Sequence, residues 1–285
     1  MPATGSPTVP RRELGALLRS YRTRSGLTAD RVGEHLGVSA SKVSRLETGQ
    51  RGASREDVLR LCELYKVVAK EREHLMELAS ASKQRAWWQP LGLPYSNYVG
   101  LEAEATSISD YGLGHVPGLL QTAGYAQAIV RAAVPQWPEE IIEQRVAGRM
   151  ARQQVLYSAK APAFHAVLDE SVLHRVVGSP SVMQAQLRHL QDMSELPNVT
   201  IRIVPYEAGA LPSGNNKFII LGFAQPAVPD VVFIEGLTGD LYLDDPDEVE
   251  TYNATFRTLV RLAASAVATR EMITAMVSRY SRPPG

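Results

Sequence analysis

The chain has only one cysteine, Cys62, among its 285 residues. An internal disulfide framework and a zinc site built from cysteines are therefore excluded. The six histidines form no pair four residues apart and match no ligand motif, which argues against a histidine zinc site. A glycine-rich phosphate loop and the nucleophile elbow of hydrolases are missing as well. We therefore expect no metal, no cofactor and no enzymatic activity.

Long hydrophobic runs are also missing from the sequence. No segment reaches about 18 uninterrupted apolar residues, the length that suggests a membrane-spanning helix. The first residues lack the apolar run of a signal peptide. We expect a cytoplasmic protein without membrane contact. The apolar fraction of 45% is ample for a sizeable core, and the length suggests about two domains.

The chain has no net charge, but its charges are unevenly distributed. Residues 1–85 carry 16 Lys and Arg against 10 Asp and Glu, whereas residues 86–285 carry 14 against 20. A basic first part is suited to phosphate binding. The acidic second part should reduce non-specific affinity for DNA.

Residues 28–49 predict two short helices joined by a tight turn. Thr28 and Ser39 are suited to cap the two helices, and Gly37 and Gly49 are suited to end them. The apolar pairs that can staple the two caps are Leu27 with Val32 and Val38 with Val43. Two helices in this arrangement can place the second one in the major groove of DNA.

The second of these helices has two distinct faces. Val43 and Leu46 define the inward face, since helical residues turn by about 100° each. The outward face and its flanks consist of Ala40, Ser41, Lys42, Ser44, Arg45 and Thr48. Hydroxyl groups can hydrogen-bond to base edges, and arginine is suited to bidentate contact with guanine.

Three further helices are predicted around this pair. Apolar residues recur at helical spacing over residues 14–21 and 58–65, and another helix is expected at about 70–80. The second of these helices opens with a capping box, in which Ser54 is followed by Asp57 three residues later. Cys62 lies on its apolar face and is interpreted as a small core residue. Five short helices can enclose one small core.

The segment LRSYRTRSGLTADRVGEHLGVSASKVSRLETGQR resembles the Xre family of helix-turn-helix regulators, the phage-repressor type, over about residues 11–80. The resemblance implies that residues 39–48 form the recognition helix. Relatives touch bases or nearby phosphates at the positions of Ser39, Ala40, Ser41 and Arg45, and the DNA backbone at those of Gln50 and Arg51.

The resemblance carries three further expectations. Many relatives have a glutamine just after the first cap, where it holds a phosphate, but this chain has Ala29, so Thr28 is expected to make that contact. Arg22 and Glu47 match a pair that forms a structural ion pair between helices in relatives. The expected DNA-binding residues are Thr28, Ser39, Ala40, Ser41, Lys42, Ser44, Arg45, Thr48, Gln50 and Arg51.

Residues 81–100 differ in character from the segments on either side. They are rich in aromatic residues, Pro and Gly, and they show no helical period. We expect a linker that packs between the domains, with an aromatic ligand cage as the alternative, because Trp87, Trp88, Tyr95 and Tyr98 would be poorly suited to a free tether. The predicted organisation is a helix-turn-helix domain at 11–80, this linker, and a second domain at 101–280.

The second domain is predicted to be α+β, with helices packed on a mostly antiparallel sheet. Helical spacing is found in LEAEATSISDYGLG, GLLQTAGYAQAIVRAA and PEEIIEQRVAGRMARQQVLYS, and a helix is expected around Met183, Leu187 and Leu190. Strands are predicted at residues 164–168, 199–204, 217–223, 231–235 and 240–243. Two helices close the chain, at residues 246–264 and about 270–280.

The second half also resembles a known group of sequences. VPGLLQTAGYAQAIVRA, RMARQQVL, LDESVLHRVVG, NVTIRIVP and FIEGLTGDLYLDDPDEV resemble the uncharacterised domain that follows an Xre domain in many actinobacterial regulators. The match runs over about residues 97–275. It implies a transcription factor described as antitoxin-like, often encoded beside a small partner protein. We expect such a factor to be associated with the nucleoid when it is bound to DNA.

Three functional hypotheses follow. The first is a sequence-specific regulator of double-stranded DNA that acts as a homodimer and is controlled by a small partner protein. The second is a one-component regulator whose second domain binds a small-molecule effector. The third, ranked lowest, is a DNA-tethered enzyme that uses carboxylates near strand ends, at Asp169, Glu170 or Glu235. A helix cap and a solvated acidic loop are the preferred explanation for the carboxylates at residues 240–247.

Overall fold

The computed structural model describes residues 6–89, 96–214 and 216–281. These residues fall into two compact units, the first formed by residues up to 104 together with 223–228, and the second by residues 105–222 and 229 onward. Tyr95, expected above in the aromatic linker, lies outside the described residues. None of the helices in the described ranges combines the length and apolar character that crossing a membrane requires.

Helices are the regular secondary structure of the first unit in its described part. Its helices are α1 (Thr8–Arg24), α2 (Ala29–Leu36), α3 (Ala40–Glu47), α4 (Arg55–Leu64), α5 (Ala69–Ala81) and α6 (Ser96–Glu102). The first five enclose one apolar core, whose most buried members are Leu14, Leu18, Val32, Val43, Val58, Leu61, Cys62 and Leu75. Burial raises the pKa of the Cys62 thiol, as expected for a core residue.

Local capping explains where α2, α3 and α4 begin and where α2 and α3 end. The hydroxyl of Thr28 accepts a hydrogen bond from the Arg31 backbone N–H at 3.3 Å, and that of Ser39 accepts one from the Lys42 N–H at 3.2 Å. Both hydrogen bonds of the predicted capping box at Ser54 are present. Gly37 and Gly49 have φ angles of 71° and 69°, in the left-handed region that favours glycine at a helix end.

The second unit is α+β. Its strands are β1 (Ser107–Gly112), β2 (Ala163–Asp169), β3 (Val199–Val204), β4 (Phe218–Gly222), β5 (Val231–Ile234) and β6 (Leu241–Leu243). Its helices are α7 (Ala123–Ala133), α8 (Glu139–Arg152), α9 (Ser171–His174), α10 (Pro180–Met193), α11 (Pro246–Leu262) and α12 (Ala266–Tyr280). The fold class predicted from the sequence, a helical domain followed by an α+β domain, is confirmed.

The strands form one mixed sheet in the order β3-β2-β1-β4-β5-β6. The β1–β2 and β2–β3 pairs are parallel, whereas β1–β4, β4–β5 and β5–β6 are antiparallel. On one face, α11 packs against a core that includes Tyr111, Phe218, Phe256 and Leu259. The edge strand β3 is partly covered, because the backbone N–H of Ile203 donates to the Thr269 hydroxyl at 3.1 Å.

The expectation of helical structure throughout residues 101–114 is wrong. Helix α6 ends at Glu102, and β1 begins five residues later, at Ser107. The strand lies in the interior of the sheet, between β2 and β4, so its backbone forms hydrogen bonds on both sides. Ile108 and Tyr111 are almost fully buried. Pairing with strands that are distant in sequence therefore overrides the local pattern of this segment.

Candidate nucleic-acid interface

The turn between α2 and α3 brings the two helices very close together. A Cβ atom placed on Gly33 would lie 2.6 Å from the carbonyl oxygen of Val38, a distance that real side chains do not tolerate. The Val38 backbone N–H donates to the Gly33 carbonyl oxygen at 2.8 Å. The angle between the two helices is thus set by backbone contact at a position that only glycine fits.

The far end of α3 is held by a charged pair. Nε of Arg22 in α1 donates to Oε1 of Glu47 at 2.7 Å, and Nη2 donates to Oε2 at 2.9 Å. The exposed fractions of the two side chains are 18% and 6%. Hydrogen bonding to Glu47 raises the pKa of Arg22. Nη1 of Arg22 also donates to the Leu27 carbonyl oxygen at 3.0 Å, so one guanidinium joins α1, α3 and the segment before α2.

Two supporting contacts were not foreseen from the sequence. A Cβ atom on Gly15 would lie 2.5 Å from the Leu46 carbonyl oxygen, so α1 touches the backbone of α3 directly. From α4, the guanidinium of Arg60 donates to the carbonyl oxygens of His35 and Leu36, the last residues of α2. Both contacts join residues more than 20 positions apart, and they fix α2 and α3 to the rest of the helical core.

Held in this way, α3 separates its side chains into an inward and an outward set. Val43 and Leu46 are 2% and 4% exposed, whereas Ser41, Ser44 and Arg45 are exposed to solvent. We call these three exposed residues the reading face. Within the described part of the chain, no hydrogen bond or ion pair engages their side chains, so the polar groups of these side chains are available to a ligand.

The remaining predicted residues surround the reading face. Thr28, Ser39, Thr48, Gln50 and Arg51 are exposed, whereas Ala40 and Lys42 are partly buried. The hydroxyls of the first two are occupied as helix caps, and the Thr48 hydroxyl donates to the Ser44 carbonyl oxygen at 3.0 Å. The backbone N–H of Arg51 donates to the Arg45 carbonyl oxygen at 3.0 Å. Gln50 and Arg51 are therefore folded back beside the end of α3.

The carboxylates singled out in the second unit have local partners. Glu170 accepts hydrogen bonds from the Tyr206 backbone N–H at 2.8 Å and from His174 at 3.1 Å. Glu235 pairs with Lys217 at 3.2 Å. The Asp245 carboxylate accepts from the backbone N–H of Asp247 at 3.1 Å and so caps α11, as the sequence suggested. Each of these contacts accounts for its carboxylate as part of the fold.

Comparison with known families identifies both units. The family described as "Domain of unknown function (DUF5753)" matches residues 95–275, which is more than half of the chain. The chain belongs to the DUF5753 family. A family described as "Helix-turn-helix domain" matches residues 13–75 of this DUF5753 protein. That match, which covers α2 and α3, supports a DNA-binding transcriptional regulator. No curated protein and no solved structure matches the chain.

Proposed function

We propose that this DUF5753 protein is a sequence-specific transcriptional regulator of the Xre type, with α3 as its recognition helix. The observation that carries the proposal is the reading face, whose three polar side chains are exposed and unengaged on a helix held rigidly from behind. Arg51 lies just beyond it and would contact the DNA backbone. Thr28, Ser39, Ala40, Lys42, Thr48 and Gln50 would complete the DNA-binding set.

Replacing Arg45 with alanine tests the assignment of α3. The probe is the preferred duplex, which the wild-type protein selects from a random library. On this duplex, Arg45→Ala should lose about 1–3 kcal/mol of binding free energy, and its preference among bases should be weaker. Arg51→Ala should instead weaken all duplexes alike and reduce the salt dependence of binding, with a slope lower by about 1. Lys70→Ala, another exposed cation of the first unit, serves as control. If Arg45→Ala binds the selected duplex as tightly as wild type, α3 is not the recognition helix.

The working form should be a homodimer with two-fold symmetry. One recognition helix contacts only a few base pairs, and two helices about 34–36 Å apart can enter one groove on successive turns. The first unit is small, so we expect the second unit to supply most of the dimer contact. Sedimentation of the full chain at micromolar concentration should give twice the monomer mass of 31.2 kDa. If the protein sediments as a monomer and selects duplexes with only one copy of the recognised sequence, the dimer proposal is wrong.

The second unit is proposed as the regulatory part, with an antitoxin-like partner protein as its preferred occupant. The acidic excess of residues 86–285 suits a basic or amphipathic partner. Such a partner changes DNA affinity only if it binds the DNA-competent and incompetent states differently. Co-purification from the native cell, followed by DNA titration with and without the recovered protein, tests this. An unchanged DNA affinity would argue against partner control.

A small-molecule effector is the second candidate, favoured by one region of the sheet. Parallel strands β1–β3 end along one edge, and ligands of such sheets bind beyond the carboxyl ends of the strands. There the Tyr111 hydroxyl is buried without a hydrogen-bond partner, and this burial raises the pKa of Tyr111. Native mass spectrometry of the purified full chain would detect a retained metabolite.

We also propose that the protein is cytoplasmic and that it is associated with the nucleoid when it is bound to DNA. Both expectations follow from its proposed DNA binding.

A further inference from the structure

A cavity of about 450 Å³ opens in the first unit, next to the proposed DNA-binding residues. Its walls come from three separate segments, namely the start of α1, the residues that follow Arg51, and the end of α5 with the segment after it. The lining residues are Pro7, Arg11, Gly52, Ala53, Ser54, Ser82, Lys83, Gln84, Arg85 and Gln89. None of the DNA-binding residues proposed above lines the cavity.

The charge of the lining is of one sign. Arg11, Lys83 and Arg85 contribute three cations, and no acidic residue is among the ten lining residues. Lys83 and Arg85 are exposed, and neither forms an ion pair within the part of the chain that the structure describes. Three cations around one space without a carboxylate repel one another, and this arrangement favours an anionic occupant.

Arg11, which lines the cavity, has one buried donor without a partner of its own. Nη2 of Arg11 donates to the Ser82 carbonyl oxygen at 3.1 Å, which holds the guanidinium in place. The Nε–H of the same side chain is buried and has no hydrogen-bond partner. A buried N–H left unpaired is costly, and an anionic oxygen is the strongest acceptor that could satisfy it.

Gly52 leaves the space beside this donor open. A Cβ atom at Gly52 would lie 3.6 Å from Nε of Arg11 and 4.0 Å from the Ser82 hydroxyl, at ordinary contact distance. A side chain at residue 52 would therefore occupy part of the cavity beside the Arg11 guanidinium. Ser54 also lines the cavity, where its hydroxyl and backbone N–H are engaged in the capping box of α4.

We propose that this cavity holds a phosphate group of the DNA backbone, on the strand that continues past the base pairs contacted by α3. The inference rests on the proposed function. The cavity is close in sequence to the expected DNA contacts. Arg51, the expected backbone contact, is followed directly by Gly52 in the cavity wall. Arg11, Lys83 and Arg85 thereby extend the phosphate-binding surface from one loop to three segments.

The test compares two double variants that each remove two positive charges. Lys83→Gln/Arg85→Gln changes the cavity, whereas Arg19→Gln/Lys70→Gln changes exposed cations of the same unit that do not line it. The probe is the duplex selected by the wild-type full chain, titrated over a range of salt concentrations. Loss of two phosphate contacts should lower the salt slope by about 2 and the affinity at 0.15 M salt by about 30-fold. The control variant should keep the wild-type slope.

Gly52→Ala supplies an independent variant, since its Cβ fits the fold but fills the space beside Arg11. It should weaken binding of the duplex without changing the thermal unfolding of the protein. If Lys83→Gln/Arg85→Gln has the same salt slope of duplex binding as the control variant, the inference is overturned and the proposed function stays intact. A wild-type chain that binds no duplex would overturn both. A third outcome is that inorganic phosphate stabilises the wild-type protein but not Lys83→Gln/Arg85→Gln, while the salt slopes of duplex binding are equal. This result would assign the cavity to a free anion and overturn the DNA assignment.

Discussion

Glu47→Ala is expected to destabilise the first unit by about 3–5 kcal/mol, because it leaves the Arg22 guanidinium largely buried without its partner. Removing one member of a buried pair costs much more than the pair itself contributes. The carboxylate accepts two hydrogen bonds from Arg22, at 2.7 and 2.9 Å, and both are lost. Helix α3 should therefore lose its attachment to α1, and DNA binding should fall with it.

Hydrogen exchange followed by mass spectrometry provides the measurement, since it reports on Ala40–Glu47 separately from the second unit. Amides of α3 should exchange faster in the variant, while those of β1 and β2 should be unaffected. Glu73→Ala removes an exposed carboxylate of α5 and should change stability by less than about 0.5 kcal/mol. The double variant Arg22→Met/Glu47→Leu should recover most of the lost stability, since it leaves no buried charge. Wild-type protection of α3 in Glu47→Ala would show that the pair does not anchor this helix.

Gln186→Leu is expected to destabilise the second unit by about 2–6 kcal/mol. Gln186 is fully buried in α10, where its Oε1 accepts from the Thr122 backbone N–H and its Nε2 donates to the Leu120 carbonyl oxygen, both at 2.7 Å. Leucine has a similar volume but satisfies neither group. Each of the two buried backbone groups then loses its partner, at a cost of about 1–3 kcal/mol.

The same measurement distinguishes this effect from a general loss of packing. Exchange should increase first at Ala123–Ala133, because Thr122 caps that helix and Gln186 holds the cap. Arg188→Ala, two residues later on the exposed side of α10, should stay within about 0.5 kcal/mol of wild type. A Gln186→Leu protein with wild-type stability would mean that the two backbone groups find other partners.

Helices α2 and α3 could be predicted from the sequence because the signals that define them are local. Thr28, Ser39 and the glycines at 37 and 49 act within a few residues of the helix ends that they cap. Their geometry depends little on the rest of the chain. The exposed position of the reading face followed from helical periodicity for the same reason.

The features that the sequence did not disclose depend on contacts between distant segments. Strand β1 is defined by its two neighbours, which begin 56 and 111 residues later at Ala163 and Phe218. Gln186 and Arg60 act on backbone groups in other helices, and no local pattern marks a side chain for that role. The cavity combines three segments, so its basic character could not be distinguished from that of ordinary surface cations before the fold was known.

The backbone contacts behind α3 have a consequence for how the protein can evolve. Gly15, Gly33 and the Arg22–Glu47 pair hold the helix without using any side chain of the reading face. Substitutions on that face should therefore change stability by less than about 0.5 kcal/mol each. With the reading face contacting bases as proposed, a gene duplicate could acquire a new operator by exchanging a few exposed side chains while its core stayed unchanged. Among descendants of one ancestral regulator, the preferred DNA sequence would then change independently of the residues that stabilise the fold.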